Sequence, residues 1–382
     1  MDFLIPPDLK EEVDRFRRFL KNSFAAELAA WHRSGKLPKA FYAELGRGGW
    51  YGTVFADGRL SRKPALREAL IAEEFAKVSP GAAIAALAHA DLGLMGLTLF
   101  GSDSLQNRYG EKTVRGETVM CLGNTERQAG SDAAAVAMRA EPAPGGWWLS
   151  GAKAYVTNGA AADLAVVTAV TDAAAARNSR HSMFLVDLGC EGVRRTRLNK
   201  QAWIPSDLSR LEFERVFVAE DHLMGERGRG LAQVLTIFTH SRVPIAALAL
   251  GTASGAFELA LERASRRTIF GRPIAQFQAK AFEIADLHAR IEAARLMVWR
   301  ACAAMESGED FRLEASASKY LAVEAARTTA AWAADLFGAA SVIGDHPIHK
   351  YPLDAWAASL GEGTQDVQKL IIFRELMKRV AE

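Results

Sequence analysis

Gly146-Trp147-Trp148-Leu149-Ser150-Gly151-Ala152-Lys153-Ala154-Tyr155-Val156-Thr157-Asn158-Gly159 is the stretch that decides the fold of this chain. Its aromatic and β-branched runs, broken at Gly151 and closed by Asn158-Gly159, read as strand, tight turn, strand and second turn. Gly and Asn accept the backbone angles that such turns need. Runs at Leu164-Ala165-Val166-Val167 and Ser182-Met183-Phe184-Leu185-Val186 carry the same texture from about Val119 to Glu226, which predicts hairpins and a small β-barrel or sandwich.

On either side the spacing is helical. From Pro7 to about Arg115, Leu9, Val13, Phe16, Leu20 and Phe24 form one stripe, and later Ala-, Leu- and Glu-rich segments continue it. Ala82 to Phe100 is apolar enough to cross a membrane, but His89 and Asp91 at its centre suit a buried helix instead. From Gly230 onward, helices over about 231–264, 275–306, 313–337 and 365–380 predict a four-helix bundle. The expected fold is mostly α with a central β domain: an N-terminal helical domain at 1–118, a β domain at 119–228 and a C-terminal bundle at 229–382.

Bulk properties exclude several classes. The chain has 382 residues, 49% hydrophobic and 24% charged, with a formal charge of only +2, so neither a nucleic-acid footprint nor a polybasic membrane anchor is expected. Cys121, Cys190 and Cys302 are widely separated and lack metal-ligand spacing, which fits a reducing compartment. The N-terminal residues show no secretory pattern, and a cytoplasmic location is expected.

Glu362 is the most informative single residue, within Ser359-Leu360-Gly361-Glu362-Gly363-Thr364-Gln365-Asp366. A carboxylate on a glycine-flanked turn ahead of a helix can reach into a cavity, and in a dry cavity its pKa rises until it serves as a base near neutral pH. Alone, such a segment is a solvated loop.

Four motifs and the turn at Glu362 together resemble the acyl-CoA dehydrogenases over nearly the whole chain. Thr125-Glu126-Arg127-Gln128-Ala129-Gly130-Ser131-Asp132 is similar to that family's Thr-Glu-Pro-x-Ala-Gly-Ser-Asp, and Leu149 to Gly159 to its Leu-x-Gly-x-Lys-x-Trp-Ile-Thr-Asn-Gly. Arg267-Thr268-Ile269-Phe270-Gly271-Arg272-Pro273-Ile274, continuing to Gln278, resembles Arg-x-x-Phe-Gly-x-x-Ile-x-x-x-Gln. Phe238 to Arg242 looks like the start of a helix whose arginine lies near CoA, and Glu362-Gly363-Thr364 occupies the catalytic-base position.

The resemblance implies FAD as cofactor, an acyl-CoA or acyl-carrier-protein thioester as substrate, and an electron-transfer flavoprotein as acceptor. It implies Glu362 as the base, Thr125 and Thr157 bonding the flavin, Tyr155 stacking beside it, and Ser131, Arg242 and Gly363 on the substrate side. Arg267, Phe270, Gln278, Gly338 and Thr364 join the cofactor set, with Arg267 and Gln278 serving a neighbouring subunit in a homotetramer. A guanidinium suits that task because it makes paired, charge-assisted bonds to phosphate. His89 and Asp91 fall near the segment that lines the acyl pocket; either recognises a polar acyl group or both make helix-packing hydrogen bonds. Departures occur at Arg127-Gln128, at Tyr155 in place of Trp, and at Asp335-Leu336-Phe337-Gly338-Ala339. A carrier-protein dehydrogenase or flavin oxidase of the same fold, and a non-catalytic assembly protein, are the alternatives.

Overall fold

A computed structural model describes residues 5–344 and 346–381. The first segment holds α1 (Pro7–Ser23), α2 (Ala25–Ser34), α3 (Lys39–Arg47), α4 (Ala65–Val78), α5 (Pro80–Leu87), α6 (Met95–Phe100) and α7 (Asp103–Val114). Proline at the first turn of α1 suits a position whose N–H has no helical partner, and the stripe Val13, Phe16, Leu20 is buried. Between α3 and α4 lies a hairpin that the helical reading of this region did not anticipate, β1 (Thr53–Ala56) and β2 (Arg59–Arg62). Its signal was Asp57-Gly58, both at positive φ (51° and 77°), the pair that a two-residue hairpin turn demands.

The apolar stretch read as one buried helix is α5, a π-helical segment Ala88–Leu94, and α6. Pro80–Phe100 and Gly230–Arg266 are long and apolar enough to cross a membrane, yet both are mostly buried inside the protein.

The β domain is an eight-stranded mixed sheet. It comprises β3 (Met120–Gly123), β4 (Arg139–Ala143), β5 (Gly146–Thr157), β6 (Leu164–Val170), β7 (His181–Asp187), β8 (Val193–Arg197), β9 (Leu208–Ala219) and β10 (Leu223–Met224). The order is β10-β7-β6-β4-β5-β9-β8, with β3 parallel to β6 off that path. Gly151 is not a turn. It lies inside the single twelve-residue strand β5, at φ 145°, opposite a bulge where Arg215 of β9 takes a positive φ of 49°. A second bulge falls between Lys153 and Val156. One extra residue there reverses the inward and outward sides of the strand. Lys153 is therefore fully buried while Tyr155, which would share its face in a regular strand, is turned out.

The C-terminal region has α8 (Gly230–Arg266), α9 (Gln278–Glu306), α10 (Arg312–Phe337), α11 (Tyr351–Ala357) and α12 (Gln365–Ala381), with the short hairpin β11 (Thr268–Ile269) and β12 (Arg272–Pro273) after α8. The four long helices start and end within three residues of the expected positions. Arg242 is a correction: it lies twelve residues inside α8, not at its start.

Helix α8 is the central element, packed on α4 and α10. Gly251 and Gly255, one turn apart, let it approach α4. A Cβ at Gly251 would lie 2.2 Å from the Glu73 carbonyl oxygen, and one at Gly255 2.4 Å from that of Lys77. Backbone cannot yield as a flexible side chain does, so Gly251→Val is expected to destabilise by about 1–3 kcal/mol or more. Thermal or denaturant unfolding of the variant checks this, and a parental midpoint would refute it.

Candidate active site

All three regions meet at a cavity of about 670 Å³. One wall is Ile84, Ala88 and Leu92 from α5 and the π segment, a second comes from the sheet, and the third is Phe238 of α8 with α11 and the glycine turn at 361–363. The cavity gathers Thr125, Ser131, Tyr155, Thr157, Glu362, Gly363 and Thr364.

The sheet wall is built on a buried ion pair. Lys153 Nζ donates to Glu126 Oε1 at 2.7 Å and to the Asn124 carbonyl at 3.2 Å, and the Ala154 N–H donates to the Thr125 carbonyl at 2.8 Å. Glu126 also accepts from the backbone N–H groups of Ala137 (2.9 Å) and Met138 (3.0 Å) and from Gln128 Nε2 (2.7 Å). Burial alone would raise the Glu126 pKa, but Lys153 and those N–H groups outweigh it and hold the carboxyl below its usual range. Burial pulls the Lys153 ammonium down to about 8 against the opposing Glu126 charge. These bonds clamp the loop carrying Thr125 against β5, so Thr125, Tyr155 and Thr157 face one space. Tyr155, at φ 55°, is 61% exposed, an aromatic ring left uncovered along the cavity wall.

The opposite wall is the glycine turn at 361–363. Glu362 and Gly363 both have positive φ (49° and 93°). Thr364 then caps α12, its hydroxyl accepting from the Val367 N–H at 3.4 Å. The Glu362 carbonyl accepts from Arg242 Nε (3.3 Å) and Gln368 Nε2 (3.0 Å), and Lys319 Nζ donates to the Gly361 and Gly363 carbonyls. Glu362 itself is half-buried by surface area and lines the cavity. Enclosure raises its pKa, Lys319 and Arg242 pull it back, and Asp91 reinforces the rise.

His89 and Asp91 do not line this cavity. His89 is fully buried, its Nε2 against the Thr113 carbonyl at 3.0 Å and its Nδ1 accepting from the Met120 N–H at 3.0 Å. Both ring nitrogens are thus spent on packing. Asp91 sits in a buried cluster with Arg62, 3.8 Å away, which also pairs with Glu68. Burial lifts the Asp91 carboxyl to about 6 and that of Glu68 to about 8, with Arg62 opposing both.

Arg267, Phe270, Gln278 and Gly338 lie elsewhere. All four are exposed, Phe270 at 94%, and none lines the cavity.

Sequence models of the acyl-CoA dehydrogenase N-terminal, middle and C-terminal domains match residues 6–117, 121–216 and 228–377. The chain belongs to the acyl-CoA dehydrogenase family. It is 31% identical to the acyl-CoA dehydrogenase FadE25 of Mycobacterium tuberculosis over 98% of this chain and 97% of that one. Its fold is similar to butyryl-CoA dehydrogenase of Megasphaera elsdenii, with a TM-score of 0.93 and 28% identity over 99% of this chain and all of the other. The PigA protein solved with FAD and proline superposes at a TM-score of 0.94, also 28% identical, covering 99% of this chain and 100% of that one.

Acyl-CoA dehydrogenases are FAD-dependent enzymes, and the cavity has the features that a flavin needs. Two threonine side chains and an uncovered tyrosine ring border a largely apolar space within the size range of small-molecule sites.

Sequence reasoning missed the loop from Lys200 to Leu208, which forms much of the wall. Lys200 Nζ holds it by bonding the Ala202 carbonyl (2.8 Å), the Trp203 carbonyl and Ser206 Oγ (3.0 Å), while Asp354 of α11 accepts from the Trp203 N–H at 2.5 Å. Pro205-Ser206-Asp207 was the only local signal in the sequence, a turn-type cluster, and the positive φ of Trp203 (52°) emerges only in the structure. The tasks of Glu126 and Lys153 were missed as well, although both stand inside quoted motifs.

Removing one member of a buried pair leaves the other charged and unpaired, so Lys153→Met is expected to cost about 3–5 kcal/mol. Adding Glu126→Gln to that variant should recover part of the loss. Denaturant unfolding of the single and double variants measures both, and strictly additive losses would contradict the pairing.

Proposed function

We propose that this enzyme introduces a double bond between the α and β carbons of an acyl-CoA thioester, with Glu362 as the base that removes the α-proton. The observation that carries this reading is that Glu362 lines the same cavity as Thr125, Tyr155 and Thr157 while all three carbonyls of its turn are engaged by buried donors.

A thioester α-proton is weakly acidic, so its removal needs a base stronger than a free glutamate. Enclosure provides that strength, and the cations behind the turn restrain the rise so that the carboxylate stays usable. As the α-C–H bond breaks and its proton passes to Glu362, its electrons form the new double bond and the β-carbon loses hydride. Bound in this cavity, FAD supplies the hydride acceptor. Thr125, Tyr155 and Thr157 would hold its ring, with Ser131, Arg242 and Gly363 on the substrate side and Thr364 fixing the helix that follows.

Ile84, Ala88 and Leu92 present an apolar wall at four-residue spacing, which supports an apolar acyl group over one recognised by His89 or Asp91. The exposed Arg267, Phe270, Gln278 and Gly338 are read as completing a neighbouring subunit's FAD site in a cytoplasmic homotetramer that passes electrons to an electron-transfer flavoprotein. On dilution into monomers the protein should then lose FAD, and monomers retaining their full flavin absorbance would contradict that assembly.

Anaerobic titration of the yellow holoenzyme with a panel of acyl-CoA thioesters, following flavin bleaching, tests the reaction. Glu362→Gln should still bind the preferred thioester but bleach more slowly by roughly 10²-fold or more. Because the base must be ionised, kcat/KM in the parent should fall on the acidic side at a pH above the ordinary glutamate value of about 4.3. Rapid bleaching by Glu362→Gln would remove this residue from the chemistry.

A further inference from the structure

Lys319, on α10, is fully buried, and its ammonium donates to the carbonyl oxygens of Gly361 and Gly363 on either side of Glu362. A lysine ammonium carries three donors and a full charge, and burying it away from any anion is costly. Among the described residues no carboxylate lies within ion-pair distance of Lys319, and the carboxylate whose field it feels is Glu362. A neutral side chain such as Gln368, which already bonds the Glu362 and Gly363 carbonyls at 3.0 and 2.9 Å, would satisfy carbonyls without that cost. A buried lysine in this place therefore has a use for its charge.

We infer that Lys319 is a positioning residue of the base: its ammonium clamps the carbonyls flanking Glu362, holds the turn at positive φ against the cavity, and lends its charge to the ionised form of the carboxylate. This rests on the reading of Glu362 as the base. Three charged groups face Glu362, each from a different element: Lys319 from α10, Arg242 from α8 and Asp91 from the π segment. Asp91 has its own partner in Arg62 at 3.8 Å. Arg242 spends its guanidinium on the Glu362 carbonyl and on Thr239 Oγ1 at 3.2 Å. Among the described residues Lys319 bonds only backbone carbonyls, and Glu362 is the carboxylate that supports its charge. Burial brings the ammonium down to about 8, with Glu362 opposing the fall. The coupling is reciprocal: whatever Lys319 does to the proton affinity of Glu362, Glu362 does in equal measure to Lys319.

The sign of the effect follows. Removing a cation beside a carboxylate raises that carboxylate's pKa, so the base becomes protonated, and idle, at a higher pH.

The test uses the FAD holoenzyme and an isotope-edited infrared titration of the Glu362 carboxyl, recognised as the band absent from Glu362→Gln. In Lys319→Met the carboxyl should titrate about one unit higher, a tenfold rise in proton affinity, and the acidic limb of kcat/KM should move by the same amount. Gln368→Leu removes uncharged donors from the same turn and should leave the titration within a fraction of a unit of the parent. An unmoved titration in a folded Lys319→Met, or an equal shift in Gln368→Leu, overturns the inference and leaves Lys319 a packing residue.

Should Lys319→Met not fold, the reciprocal measurement decides. In Glu362→Gln, a near-isosteric change, the Lys319 ammonium followed by ¹³Cε-lysine resonance should lose protons about one unit lower than in the parent, and no change refutes the coupling. Neither titration depends on turnover, so rapid bleaching by Glu362→Gln would overturn the reading of Glu362 as base without touching the electrostatic result.

Discussion

The ion pair between Lys153 and Glu126 is the contact on which the sheet wall of the cavity depends. An ammonium and a carboxylate taken out of water are tolerable only when they are paired and further hydrogen-bonded, and here both are. Glu126 gathers the N–H groups of Ala137 and Met138, and Lys153 adds the carbonyl of Asn124. The pair crosses from a loop to the middle of a strand. Residues with no regular backbone ladder between them, Thr125 on one side and Tyr155 and Thr157 on the other, are thereby held against one cavity.

The opposite wall solves a similar problem without a conventional salt bridge. A turn that presents the Glu362 carboxylate at positive φ leaves its own carbonyls outside any helix or sheet. Arg242, Lys319 and Gln368 supply those carbonyls from three helices at once. The turn is thus held by what lies behind it. Helix α8 packs on α10, which packs on α12, and α8 in turn approaches α4 closely through Gly251 and Gly255.

Much of this was legible in advance. Long Ala-rich segments with apolar spacing predicted the bundle helices closely, because helix formation answers to local periodicity and to clear boundaries such as Gly338 after α10 and Thr364 before α12. The motifs around Thr125, Tyr155 and Glu362 pointed at residues that do share a cavity. Other features were hidden for definite reasons. Gly151 reads as a turn because glycine serves bulges and turns alike. The hairpin at Asp57-Gly58 has only four-residue strands, too short to stand out among helices. His89 was open to two readings, and only the positions of Thr113 and Met120 show that both its nitrogens are taken.

By itself the sequence determined the helical, β, helical order, the family, and Glu362 as the acid worth following, since composition, spacing and motif are properties of the chain read along its length. Tertiary structure decided which way each side chain faces and what charges surround it. One extra residue in β5 sends Lys153 inward and Tyr155 outward. A lysine 43 positions before Glu362 in the chain reaches the carbonyls beside it. Electrostatic fields and register depend on distances in space, and two residues far apart in sequence carry no local mark that they will meet.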